Sequence, residues 1–236
     1  MNDVLHPHLD SFVVVYLEDI VVYSDNMEYH KKHLALVFEA LKKSRLYLKK
    51  SKCMFAQTEI PFLGHIMGQG HIRMEPSRVK AIEAWAESKN VHDMRVFLGM
   101  TNYQRKFVEG YYKVTLSLTD LLKKDKQWNW MEKCRMEFEE LKKRMVSAPM
   151  LKLPDFERPF EVHTDALNFV IGGVLMQDGN PVAYESVKLQ DREQSYPIHE
   201  KEMTAIIQCL QVWRHYLIGK PFVVKIYNVA MSYFES

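Results

Sequence analysis

Two adjacent carboxylates, Glu18 and Asp19, lie between two short apolar stretches that are rich in valine, isoleucine and tyrosine. Such stretches are too short and too β-branched for helices, and they predict the two buried strands of a hairpin over residues 11–24. A buried strand rarely carries an unpaired carboxylate, because an isolated charge is very costly outside water. Acids at this turn therefore favour a bound cation, and a solvated turn without a metal is the alternative.

The composition is that of an ordinary globular protein. The 236 residues are 47% hydrophobic and 26% charged, which suffices for one large core or two small ones. No apolar segment approaches the ~18–20 residues that a membrane span needs, and the N-terminus lacks the features of a signal peptide. Cys53, Cys134 and Cys209 indicate neither a disulfide framework nor a zinc site. We therefore expect an intracellular protein, cytoplasmic or nuclear, without a membrane partner.

Charge is distributed unevenly along the chain, although the formal net charge is only +2. Residues 28–52 carry eight lysines and arginines against two glutamates, whereas residues 155–236 carry seven against eleven acids. A basic half followed by an acidic half predicts two units with different roles. The basic side chains of 28–52 form either a solvated helix face or a surface that follows a phosphate backbone.

The first 150 residues predict short strands and amphipathic helices. Asn26 is a suitable N-cap for a helix that carries Leu34, Val37, Phe38 and Leu41 on one face. Apolar residues at this spacing form a core far more often than a cofactor site. The other predicted elements are strands around 62–65 and 71–74, a helix from Pro76, a helix over about 91–108, a short helix over 116–122 and a helix carrying Met131, Cys134, Phe138, Leu141 and Met145.

The sequence changes character from Pro149 onward. Three prolines within residues 149–159 predict an accessible linker, and we expect limited proteolysis near 152–158. Asp178-Gly179 is a strong signal for a hairpin turn between two strands. A three-stranded meander, a helix over about 199–217 and a returning strand at 221–226 predict an α/β unit with one covered sheet face.

Several segments, in this order along the chain, resemble the gypsy-type retrotransposon reverse transcriptases. The hairpin is similar to the family's YxDD hairpin, with Glu18 at the position of the first aspartate. Phe62-Leu-Gly-His65 resembles the primer grip, and the segment from Arg95 to Phe107 is very similar to the thumb signature. The entry to the ribonuclease H domain and its following helix are matched by Trp128-Asn-Trp130, Phe160-Glu-Val-His-Thr-Asp165-Ala166 and His199-Glu-Lys-Glu202-Met-Thr-Ala205.

The resemblance implies an α+β fold made from part of a Pol polyprotein. Residues 1–75 are expected to form the C-terminal part of the polymerase palm, and residues 76–127 the helical thumb and connection. Residues 128–236 are expected to form a truncated RNase H-like α/β domain. The other catalytic palm aspartate is expected before residue 1, and the last acidic residue of the RNase H site after residue 236.

The resemblance also implies two carboxylate sites that would use Mg²⁺. Glu18 and Asp19 are expected to be the remnant of the polymerase site, and Asp165 and Glu202 that of the RNase H site. Glu18 extends its carboxylate by about one carbon–carbon bond, ~1.5 Å, which disturbs the near-ideal octahedral geometry that Mg²⁺ demands. Tyr227 replaces the third RNase H acid, and a phenol with a pKa of about 10 is a poor ligand for Mg²⁺. We therefore expect Asp19, Asp165 and Glu202 to bind Mg²⁺ weakly or not at all.

The nucleic acid expected from the resemblance is an RNA–DNA hybrid or a duplex. The residues expected to contact it lie in the primer grip and the thumb: Phe62, Gly64, His65, Tyr103, Arg105 and Lys106. The activity expected for the family is reverse transcription together with hydrolysis of the RNA strand of hybrids. For this chain we expect an inactive fragment of such an enzyme. A non-catalytic nucleic-acid-binding relic and a decayed product without selected function are the alternatives.

Overall fold

The computed structural model describes residues 1–9, 11–124 and 126–226. The chain forms two compact units, Met1–Ile60 and Pro61–Ser236. Helices and strands alternate in both units, so the predicted α+β class is confirmed. No helix in the described ranges is long and apolar enough to cross a membrane.

The first unit contains a β-hairpin and one long helix. Its elements are α1 Asn2–Leu5, β1 Val13–Tyr16, β2 Asp19–Val22 and α2 Met27–Lys43. The core of this unit consists of Leu5, Phe12, Val13, Val37 and Leu41. The predicted hairpin is confirmed, with β1 antiparallel to β2, and so is the Asn26 cap, whose Oδ1 accepts the backbone N–H of Tyr29 at 2.9 Å.

Two details of the first unit differ from the prediction. The hairpin strands are not fully buried, since Val14, Tyr16 and Tyr23 are exposed. The helix that packs on this two-stranded sheet covers only one of the two faces of the sheet. Phe38 is also exposed, although its spacing had placed it with Val37 on the core face. Its ring instead meets the edge of the Phe55 ring, with the centroids 6.1 Å apart.

The second unit begins with a small sheet and a group of helices. β3 Glu59–Phe62 leads into the unit, and the sheet has the order β3-β4-β5-β6. The remaining elements of this part are β4 His65–Gly68, β5 His71–Met74, α3 Pro76–Glu83, α4 Val91–Tyr103, α5 Leu116–Asp120, α6 Glu132–Val146 and β6 Leu151–Lys152. The large buried side chains that join them are Ile82, Met94, Phe97, Phe107, Phe138, Leu141, Met145 and Leu151. The predicted helical stripes therefore form core, except that Met131 is exposed and precedes the first residue of α6.

Three predicted boundaries in this part are wrong. The segment 62–65 is not a strand but contains the turn between β3 and β4, where Leu63 and Gly64 have φ values of 49° and 69°. The helix expected to reach 108 ends at Tyr103 and is followed by a 3-10 helix, Arg105–Phe107. The proline-rich segment is not a free linker, because Leu151 and Lys152 pair with β5.

The C-terminal part, which is expected to be RNase H-like, is a four-stranded sheet with helices packed on it. Its elements are β7 Phe160–Ala166, β8 Val170–Gln177, β9 Asn180–Lys188, α7 Ile198–Val212, α8 Arg214–Leu217 and β10 Phe222–Ile226. The order is β10-β7-β8-β9, with β10 parallel to β7 and the other pairs antiparallel. Asp178 and Gly179, with φ values of 50° and 74°, form the predicted hairpin turn.

Side-chain contacts tie residues 152–158 to this sheet. The ammonium of Lys152 pairs with the carboxylate of Asp178, and Arg158 bonds the same carboxylate at 2.9 Å. The buried side chain of Gln177 hydrogen-bonds the backbone N–H and C=O of Asp155 at 2.8 and 2.7 Å. By contrast, residues 44–58 are exposed almost throughout. Among the described residues, 44–58 therefore form a long accessible segment, whereas 152–158 are held in place.

Limited trypsin digestion is expected to cut first within 44–58, at Lys49, Lys50 or Lys52. These bonds lie in an exposed segment with few tertiary contacts, so local opening there costs little. Mass spectrometry of the earliest fragments measures the site, and changing all three lysines to glutamine should slow the first cut. A first cut at Lys152 would contradict this expectation.

Candidate nucleic-acid interface and carboxylate sites

The carboxylates of Glu18 and Asp19 lie at the tip of the hairpin. Leu17 and Glu18 form the two-residue turn, and Tyr16 pairs with Asp19 to close it. Leu17 has a positive φ of 53°, which the tight turn requires. Both acids are exposed, so the hairpin presents its carboxylates to solvent, and a bound cation there stays a prediction.

Asp165 and Glu202 have different surroundings in the RNase H-like part. Asp165 is exposed near the end of β7, while its neighbours Thr164 and Ala166 are buried. Ala166 packs with Ala205 of α7. Because successive strand residues point to opposite faces, Asp165 projects away from the side that α7 covers. Glu202 is buried on α7.

The donor sets in the described ranges do not fit a two-metal centre. Within residues 1–9, 11–124 and 126–226, no group of three or more His, Cys, Asp or Glu side chains is arranged to hold a metal ion. Tyr227, the predicted replacement of the third acid, lies outside the described residues. The metal roles of Asp19, Asp165 and Glu202 stay predictions.

A cleft of about 330 Å³ opens beside Asp165. Asp165 and His163 line it from β7, while Lys113 and Arg144 line it from the preceding helical part. Arg144 is fixed at the rim because its Nε contacts Glu140 at 2.7 Å and its Nη1 donates to the Glu109 carbonyl at 2.9 Å. The cleft is therefore of mixed charge, and Glu202 does not border it.

Arg105, expected to contact nucleic acid, forms an ion pair with a buried acid. Its Nη2 lies 3.7 Å from Oε2 of Glu185 on β9, whose side chain is only 4% exposed, while that of Arg105 is 40% exposed. Burial raises the pKa of Glu185, and Arg105 opposes that rise. Arg105 thus has a structural role, with part of its guanidinium still open to solvent. The signal in the sequence that could have indicated this ion pair is Glu185 itself, an acidic residue in the middle of a strand.

The primer-grip turn rests directly on the end of α4. Tyr103 donates from its hydroxyl to the Leu63 carbonyl at 2.8 Å, and its ring stacks on His65 with the centroids 5.6 Å apart. His65 is 5% exposed, and its Nε2 lies 3.1 Å from Oε1 of the buried Gln104. His65 therefore positions the turn through these buried contacts, and its expected contact with nucleic acid stays a prediction.

The electrostatics of this cluster keep the imidazole neutral. Burial, with the charges of Lys106 and Arg78 added to it, lowers the pKa of His65 to about 4, although the hydrogen bond with Gln104 opposes this shift. Lys106 is itself half-buried, with its Nζ 5.2 Å from the Phe107 ring centroid, and burial lowers its pKa. Phe62 is half-buried at the end of β3. Tyr103 remains exposed, and Gly64 and Lys106 are half-buried. These three residues therefore form the part of the turn region that solvent can reach.

The fold is that of a reverse transcriptase with an RNase H-like domain. A foamy viral protease-reverse transcriptase dRH solved with ds DNA superposes on 98% of this chain and 41% of that chain, with a TM-score of 0.88 and 21% identity. The foamy viral enzyme solved with an RNA/DNA hybrid has a TM-score of 0.87, again at 21% identity, and covers 98% of this chain and 32% of that chain.

Comparisons of sequence agree with the fold. Residues 1–67 match the reverse transcriptase (RNA-dependent DNA polymerase) family, and residues 130–224 match the RNase H-like domain found in reverse transcriptase. The chain belongs to the reverse transcriptase family of retrotransposon Pol polyproteins. The gypsy-type assignment within that family stays a prediction. Reverse transcriptases and RNases H generally use divalent metals.

The curated relatives are much longer than this chain. The retrovirus-related Pol polyprotein from transposon 297 of Drosophila melanogaster is 38% identical over 225 residues, which are 95% of this chain and 21% of that protein. The transposon Tf2-3 polyprotein of Schizosaccharomyces pombe is 36% identical over 223 residues, which are 92% of this chain and 17% of that protein. The chain thus spans about a fifth of the length of these relatives.

Proposed function

We propose that this segment binds an RNA–DNA hybrid or a DNA duplex through the surface formed by the β3–β4 turn and the end of α4. The observation that carries the proposal is the hydrogen bond from Tyr103 to Leu63, which joins the primer-grip and thumb segments into one surface. Lys106 contributes positive charge beside it. Support also comes from the foamy viral neighbours, which are solved with ds DNA and with an RNA/DNA hybrid.

We further propose that the chain by itself catalyses neither polymerisation nor RNA-strand hydrolysis. The longer side chain of Glu18 displaces the carboxylate that the family places first in its hairpin, and Mg²⁺ tolerates such displacement poorly. At the second site, Tyr227 offers a neutral phenol where a carboxylate is expected. Any Mg²⁺ at Asp19, or at Asp165 and Glu202, would be weakly held.

Binding of a fluorescent RNA–DNA hybrid, measured by anisotropy between 50 and 200 mM salt, tests the binding role. We expect affinity to fall with salt, and Lys106→Ala to reduce the slope of log K against log salt by about 0.9, the value for one lost phosphate contact. Lys133→Ala removes an exposed lysine on α6 and should leave the slope unchanged. Equal slopes for the wild type and Lys106→Ala would contradict the proposed surface.

The same preparation tests the absence of catalysis. With Mg²⁺, nucleotides and a primed RNA template, no extension is expected, and the hybrid should stay intact. Extension or cleavage by the purified chain would overturn the proposal of inactivity while leaving the binding role standing. No binding of the hybrid at 50 mM salt would instead favour a decayed product.

A further inference from the structure

Arg78 on α3 lies directly over the primer-grip turn. A Cβ at Gly64 would be 2.6 Å from Nη2 and 2.7 Å from Cζ of Arg78. These distances are shorter than real Cβ contacts, so the guanidinium occupies the space that a side chain at position 64 would need. The absence of a side chain at Gly64 is therefore what allows Arg78 to lie here.

Tyr103 fixes the guanidinium from another direction. The Cζ of Arg78 is 5.3 Å from the centroid of the Tyr103 ring, within the range of a cation–π contact. The ring cannot turn away easily, because its hydroxyl donates to Leu63 and it stacks on the buried His65. Arg78 is thus held against a rigid aromatic surface.

Within the described residues, the N–H donors of Arg78 make no hydrogen bond to the protein. The carboxylate facing it is that of Glu75, whose Oε2 lies 3.8 Å from Nε, beyond hydrogen-bond distance. The other oxygen of Glu75 accepts a hydrogen bond from Ser77 at 2.8 Å. Across the described residues no hydrogen bond reaches the guanidinium, and the side chain is 41% exposed. A planar guanidinium that is fixed yet retains free donors matches the geometry of a phosphate.

We propose that Arg78 binds a backbone phosphate of the nucleic acid at the β3–β4 turn. This inference rests on the proposed function and adds a specific contact to it. A phosphodiester is favoured over a free nucleotide because the open surface extends from Arg78 along Tyr103 to Lys106, as a backbone track requires. Arginine suits this position better than lysine, since only a planar group stacks on the ring and still offers paired donors.

Hybrid binding against salt tests this contact with three variants. Arg78→Ala should weaken binding roughly tenfold and reduce the salt slope by about 0.9, while the thermal midpoint should fall only by the small amount that one partly exposed cation–π contact contributes. Arg78→Lys should keep the slope but lose part of the affinity. Lys80→Ala removes a charge two residues along α3, about 200° around the helix, and should change neither quantity.

Each outcome separates this inference from the proposed function. If Lys106→Ala lowers the slope and Arg78→Ala does not, Arg78 is not a phosphate contact, although the surface binds nucleic acid. If a deoxynucleoside triphosphate protects the wild type from heat but not Arg78→Ala, while hybrid binding is equal in both, the site takes free nucleotides and the backbone assignment is wrong. If the wild type does not bind hybrid, both proposals fail.

Discussion

Gly173→Ala is expected to lower the free energy of unfolding of the second unit by about 3 kcal/mol or more. A Cβ at this position would lie 2.3 Å from the backbone oxygen of His163 and 3.0 Å from Sγ of Cys209. The first contact is with the neighbouring strand and the second with α7, so neither side yields without moving backbone or core. The added methyl group therefore pushes β8 away from β7, or pushes α7 away from the sheet.

Urea unfolding followed by tryptophan fluorescence measures this effect. All four tryptophans of the chain lie beyond residue 60, so the signal reports on the second unit. Gly99→Ala is the matched control, since a Cβ there meets nothing within 4 Å and the residue is inside α4. The control should gain about 1 kcal/mol from helix propensity. An unfolding midpoint for Gly173→Ala equal to that of the wild type would show that the sheet relaxes around the methyl group.

Local signals explain the parts of the fold that the sequence predicted correctly. Asn26 caps α2 and Asp178-Gly179 forms its turn because the interactions involved span only a few residues. The stripe on α6 is buried because its spacing alone defines one helix face. The remaining architecture was predicted from the order of the family motifs along the chain. The spacing of apolar residues alone could not have predicted it.

The sequence did not reveal the arrangements that contacts between distant residues decide. His65 has the sequence setting of a surface contact, yet its imidazole is buried against Gln104, 39 residues later. The prolines of the 149–159 segment favour a linker, but pairing of Leu151 and Lys152 with β5 overrides them. No periodicity in the sequence announces that Arg105 meets Glu185, 80 residues away.

Arg105→Ala is expected to lower the free energy of unfolding by roughly 2–3 kcal/mol at neutral pH. The reason is the acid left behind: Glu185 is buried, and its Oε1 has no hydrogen-bond partner among the described residues. Losing the partner of a buried charge costs more than the pair itself contributes. The estimate lies below the range for fully buried pairs because Arg105 is partly exposed.

The loss should depend on pH, and its sign follows from Glu185. Burial raises the pKa of this carboxyl above its ordinary value of 4.5. Below that value the carboxyl is protonated in both the folded and the unfolded state, so it adds no penalty. As pH rises through the raised pKa, the folded state must hold a buried charge, and stability falls. Without Arg105 the pKa rises further, so the difference between the wild type and the variant should be larger at pH 8 than at pH 5.

Glu185→Gln separates the structural role of Arg105 from any contact with nucleic acid. Alone, it should change the free energy of unfolding by less than about 1 kcal/mol, because a neutral amide needs no cation. Added to Arg105→Ala, it should restore most of the lost stability and remove the pH dependence. A destabilisation that is equal at pH 5 and pH 8 and survives Glu185→Gln would mean that the pair is not its cause. In the restored double variant, a hybrid-binding salt slope still reduced by about one unit would assign Arg105 a phosphate contact as well.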